Sequence, residues 1–210
     1  MIRFTLLCTF LLGALSGSGQ SDCTLELSRD SIKVYTCPRA DSRYKTIKTT
    51  FTLQSSLSQL AAAVLDIDNY ASWQYKTARV SVLKKVADSE VVYYTEVEAP
   101  ALTSNRDFVI RLTVDPDPMT KGMIIEAVSL PDFAPPVDGV IRVPYSRARW
   151  MVVPAGKDQL YVEYTIDIDL GGSVPPWLVN LFAAKAPYET FRALRDQIGR
   201  YSGQQVSFIK

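Results

Sequence analysis

The chain has 210 residues, a formal charge of +1 and 47% apolar residues, which bounds it to one domain of ordinary size with a real core. Basic and acidic residues are interleaved, with no basic tract, zinc spacing or basic helix, so nothing points to nucleic acid as a partner. Histidine is absent, which removes Ser-His-Asp and Cys-His nucleophiles, imidazole bases and His-ligated metal sites together, and no metal or cofactor is expected.

In chain order, Arg3 forms a short positive region, Phe4 to Leu15 an apolar run, and Ser16-Gly17-Ser18-Gly19 a small-residue cleavage site. That apolar run is about a dozen residues, short of the roughly 20 that a spanning helix needs. Residues 1–19 are therefore expected to be a signal peptide and residues 20–210 a single exported domain, periplasmic or secreted. Cys8 would leave with the signal. Between Cys23 and Cys37 the chain alternates and carries a polar tip at Arg29-Asp30-Ser31. Folded there as a hairpin, it brings Cys23 opposite Cys37, close enough for a structural disulfide in an oxidising compartment. The alternative is two free buried thiols.

Tyr44 to Gln54 reads as a strand, and Ser56-Leu-Ser-Gln59 has capping-box spacing that opens a short helix, broken at Asp68-Asn69-Tyr70. Strands follow at Ala78–Val86, Glu90–Val97, Asp107–Asp115 and Gly122–Leu130. A proline-rich crossing (Pro131, Pro135, Pro136) leads to strands expected at Gly139–Val153 and Leu160–Leu170. Gly171-Gly172 ends the last of them. Ser173, Pro175 and Pro176 suit the start of a helix, which keeps Trp177, Leu181, Ala184, Tyr188, Phe191, Leu194 and Ile198 on one side. Pro187 should bend it. Strands joined by short turns before one long helix predict an α+β domain, a curved antiparallel sheet gripping a C-terminal helix.

Parity assigns the faces. Phe108, Ile110, Leu112 and Val114 must point inward, with Asp107, Arg111 and Thr113 outward, and Arg106 shares the inward side. Trp150 and Tyr164 take inward positions on later strands. The first half of the closing helix is apolar nearly all round, more than one sheet can cover, so it should also meet a ligand cavity or a membrane. A sheet wrapped on a helix leaves space between them, and that space is the candidate site.

Asp66-x-x-x-Tyr70-x-x-Trp73, Asn105-Arg-Asp-Phe108, Arg142-Val-Pro-Tyr-x-x-x-x-Trp150 and Asp169-Leu-Gly-Gly-Ser-Val-Pro-Pro-Trp-Leu-Val-Asn180 together resemble the START (steroidogenic-acute-regulatory-related lipid transfer) domain family, exported bacterial type. The resemblance covers residues 24 to 200 and implies a helix-grip fold. It also implies a hydrophobic tunnel for one lipid or sterol, gated by a loop and the C-terminal helix. Animal sterol-carrying members place a second Arg further along the Arg106 strand. Leu112 stands there here, a departure that removes the paired arrangement.

The function expected is non-catalytic: a monomeric carrier or sensor of a lipid or other hydrophobic small molecule, in passing contact with a membrane surface. The candidate ligand wall is Tyr94, Arg106, Phe108, Ile110, Trp150, Tyr164, Trp177, Leu181 and Phe182, and Phe133 with Trp177 forms the gate. Arg106 meets either a ligand head group, with Glu96 or Glu98 nearby, or an ion-pair partner such as Asp107. The alternatives to a carrier are a helix-grip enzyme of the polyketide cyclase/aromatase type and an interaction module with a filled core.

Overall fold

A computed structural model describes residues 23–39, 42–100, 103–173 and 181–209. The N-terminal hairpin pairs β1 (Thr24–Arg29) with β2 (Ile32–Arg39), and its turn places Asp30 and Ser31 at φ of 50° and 59°. Two successive left-handed residues match the right-handed twist of the flanking strands, which is why the polar tip turns there. Cys23 and Cys37 form the expected disulfide.

After β3 (Ser42–Gln54), Ser56 caps α1 (Leu57–Leu65), its hydroxyl accepting from the Gln59 amide at 3.1 Å. Only half of the capping box forms, because the Gln59 side chain donates instead to the Ile198 carbonyl at 2.8 Å. A short 3₁₀ turn, Ile67–Ser72, then carries Tyr70 into the core.

The strands β4 (Thr77–Ala87), β5 (Glu90–Val97), β6 (Arg106–Asp117), β7 (Gly122–Ser129), β9 (Tyr145–Gly156) and β10 (Gln159–Asp169) pair antiparallel in the order β3-β10-β9-β7-β6-β5-β4. With the hairpin and a short β8 (Ile141–Arg142) paired to β6, they build one ten-stranded sheet. The pairing of β3 with β10 joins the two ends of the chain, and the closing helix α2 (Ala186–Gln197) crosses the concave face. This is the helix-grip architecture that the strand pattern implied.

The run expected as one strand from Gly139 to Val153 is instead two. Ile141–Arg142 forms a short β8 that pairs parallel with β6, and β9 starts only at Tyr145. Pro144 lies between them and has no N–H to donate to a ladder. Asp107 also departs from expectation. Its outward parity holds, but the side chain is wholly buried because Arg142 of β8 lies over it.

A π turn, Leu181–Lys185, precedes α2, and Pro187 sits in the first turn of the α-helix proper. Without an N–H, Pro187 cannot continue a regular ladder backwards, so the irregular turn falls just ahead of it. The helix is tied down at both ends, by Tyr188 in its first turn and Arg195 in its last. Tyr188 donates to the Asp30 carboxylate, and Arg195 donates to the carbonyls of Asp30 (2.7 Å) and Thr52 (3.3 Å). Beyond it, the Tyr201 hydroxyl donates to Asp66 at 2.8 Å.

Candidate functional site

Between the concave face and α2 lies a cavity of about 200 Å³. Strand alternation makes its walls. On β6 the residues Phe108, Ile110 and Leu112 face it, and their register partners Thr95, Tyr93 and Val91 on β5 share that face. Ala127 of β7, with Ala148 and Trp150 of β9, continues the wall. Tyr164, Ile166 and Ile168 of β10 complete it, and Pro187, Thr190 and Phe191 of α2 roof it.

Two groups of aromatic rings flank the space. Trp150, Tyr164 and Phe191 meet edge to face, with centroids 5.1 to 5.5 Å apart, and Phe51 stacks on Phe191 at 4.6 Å. Tyr70 contacts Trp73 at 4.8 Å and Tyr93 at 5.3 Å, also edge to face. These are the favourable geometries for ring quadrupoles, and they fix the walls. Burial raises the pKa of Tyr70, Tyr93 and Tyr164 well above the ordinary phenol value, so all three stay neutral.

None of the described residues that line the cavity is charged. Their polar atoms are hydroxyls, an amide and an indole. Two of these, Thr95 Oγ1 and Trp73 Nε1, are buried with no hydrogen-bond partner among the described residues. Such a group costs free energy unless something meets it.

Of the expected ligand wall, Phe108, Ile110, Trp150 and Tyr164 do line the cavity. Tyr94 does not. It stands on the opposite face, half-buried, with its hydroxyl 3.5 Å from Glu96 Oε2. Burial, then the charges of Asp107 and Glu96, push its pKa up to about 12. The physical reason is parity: Glu96 and Tyr94 share one side of β5, and Tyr93 and Thr95 take the other. The sequence signal for Tyr93 was the uncharged series Val91, Tyr93, Thr95, Val97.

Arg106 is inward and 2% exposed, one alternate position beyond Phe108. It does not pair with Asp107, whose carboxylate is held by Arg142. Its Nη1 donates to the Ser104 carbonyl at 2.6 Å, and Nε has no partner among the described residues. Burial lowers its pKa below the usual guanidinium value. Glu96 takes Asn105 (2.6 Å) and Arg79 (3.6 Å) on the outer face. Phe133 is 48% exposed in the crossing and outside the lining. Trp177 lies outside the described residues, as do the side chains of Leu181 and Phe182.

Residues 25–202 match the family model described as START domain. An uncharacterized protein of Pseudomonas aeruginosa is 27% identical over 197 residues, covering 93% of this chain and 96% of that protein. The rat phosphatidylcholine transfer protein is 31% identical over 151 residues, covering 70% and 68% of the two chains. Among solved structures, the STAR-related lipid transfer protein of Xanthomonas axonopodis superposes with a TM-score of 0.77 at 26% identity, over 84% of this chain and 98% of that one.

Proposed function

Because the chain belongs to the START domain family, we propose that it encloses one hydrophobic ligand, a lipid or sterol, between sheet and closing helix, and carries or senses it without catalysis. The observation that carries this reading is an uncharged, aromatic-walled cavity roofed by α2. An acyl chain gains about 0.8 kcal/mol for each buried CH₂, so such walls supply affinity by themselves. A core filled to native density would leave no such space. Among the described residues no carboxylate for general acid–base chemistry lines the cavity, which favours a carrier over a cyclase.

Phe108, Ile110, Trp150 and Tyr164 form the ligand wall in this reading. Tyr188 in the first turn and Arg195 in the last turn tether α2 at both ends to the N-terminal hairpin and β3, so α2 is a fixed roof over the ligand in this reading. Phe133 is the exposed apolar tip suited to a membrane encounter. The chain acts outside the cytoplasm as a monomer, a location the disulfide favours. Among the described residues no helix is long and apolar enough to cross a membrane. A vesicle-to-vesicle transfer assay with fluorescent phospholipid and sterol tests the reading. Transfer above the protein-free rate supports it, and no binding of either lipid class refutes it.

A further inference from the structure

Arg106 and Thr95 are diagonal neighbours on the concave face. Thr95 is the register partner of Phe108, and Val97 is the register partner of Arg106. Thr95 and Val97 both line the cavity, whereas Arg106, their neighbour on the same face, is not itself among the lining residues and stands just beyond them. At this spacing long side chains reach across the diagonal.

Both residues are buried, Thr95 at 4% and Arg106 at 2% exposure, and both hold a polar atom without a partner among the described residues, Oγ1 and Nε. No carboxylate pairs with Arg106 among the described residues. The nearest acids on its own strand and on β5, Asp107 and Glu96, belong to the opposite face and are taken by Arg142, Asn105 and Arg79. Val143 and Ile141 of the crossing and Pro144 bring no charge to that end. A buried guanidinium with one hydrogen bond to a carbonyl is costly, and removal of its counter-charge is the expensive case. An unmatched cation beside an unmatched hydroxyl is chemically a site for an oxyanion.

We infer that the ligand is an amphiphile with an anionic end group, a carboxylate or a phosphate, seated between Thr95 and Arg106 with its apolar chain along Phe108 and Ile110. Arg106 donates to the anion through Nε and its free Nη positions, and the Thr95 hydroxyl donates a second bond. The inference rests on the cavity-binding reading above and adds the charge and orientation of what binds.

Equilibrium binding to the full chain, followed by tryptophan fluorescence, separates the two. The probes are hexadecanoate, monohexadecyl phosphate and neutral 1-hexadecanol, each below its micelle concentration. The expected result is at least about tenfold tighter binding of one or both anions than of the alcohol, the size of a charge-assisted hydrogen bond. The better of the two anions identifies the end group as carboxylate or phosphate. Arg106→Gln should abolish that preference and keep alcohol binding, and Thr95→Val, which preserves shape, should reduce it several-fold. If Arg106→Gln does not fold, Thr95→Val still decides. Equal binding of all three probes by the wild type, or an undiminished preference in Thr95→Val, overturns the anionic site while leaving the cavity reading intact. If none of the three binds, the anionic site falls, and the phospholipid and sterol transfer assay still decides the cavity reading.

Discussion

Arg142 holds Asp107 by two parallel hydrogen bonds, Nε to Oδ1 at 2.8 Å and Nη2 to Oδ2 at 3.0 Å, with the carboxylate fully buried. The same guanidinium donates to the carbonyls of Pro131 (2.6 Å), Ala134 (3.0 Å) and Pro135 (3.1 Å). One side chain thus ties β6, β8 and the proline-rich crossing together. Removing one partner leaves a buried charge unmatched, which costs about 3–5 kcal/mol. Arg142→Met should therefore lower the unfolding free energy by that amount in urea titrations. It should also expose the crossing to protease, whereas an unchanged midpoint would show the clasp to be idle.

The tyrosines give a pH signature. In four of them the folded pKa lies above the ordinary 10.0: burial first pushes Tyr94 up to about 12, and burial raises Tyr70, Tyr93 and Tyr164 well above the ordinary value. A raised value means that the folded state keeps its proton after the unfolded state has lost it. These groups therefore leave stability unchanged below about pH 10 and erode it as pH climbs through 10 toward 12. The share of the tyrosinate absorbance due to these four should rise in one cooperative step together with loss of the near-ultraviolet circular dichroism. A smooth titration of Tyr70, Tyr93, Tyr94 and Tyr164 near the ordinary value, with the fold intact, would contradict the burial.

The Cys23–Cys37 bridge closes a loop with a sequence separation of 14. Chain entropy assigns such a loop about 3 kcal/mol. Because Ile32 and Val34 of β2 are in the core, loosening the hairpin should be felt globally. Reduction should lower the urea midpoint accordingly, and native protein should resist alkylation until reduced. Two thiols that alkylate at once in the folded protein would exclude the bridge.

Much of this was legible in the sequence, for reasons that are local. The cap at Ser56, the turn at Asp30-Ser31 and the inward series Phe108, Ile110, Leu112, Val114 depend on spacing and turn chemistry alone. Gly171 and Gly172 end β10 as expected, at φ of 66° and 63°, and a Cβ on Gly171 would sit 3.1 Å from Pro144 Cδ. What escaped depends on pairing between distant segments. The side of β5 that faces the cavity follows from its register with β6, which puts Tyr93 and Thr95 inward and Tyr94 beside the charged Glu96 on the other side. The burial of Asp107 requires Arg142, 35 residues away, and a two-residue parallel strand has too short a pattern to read.

Ala148 has inward parity on β9, opposite Ile166, and both line the cavity. A phenyl ring at Ala148 would project into the open space. Ala148→Phe should keep or raise the melting temperature and block ligand entry. In a core without space the same change would cost about 1–3 kcal/mol by overpacking.

Native mass spectrometry of the full chain after incubation with mixed phospholipid and sterol vesicles tests enclosure of one ligand most directly. A single lipid adduct per chain in the wild type, absent in a folded Ala148→Phe, is the predicted result. A wild type that carries no adduct, or adducts that persist unchanged in Ala148→Phe, would contradict it.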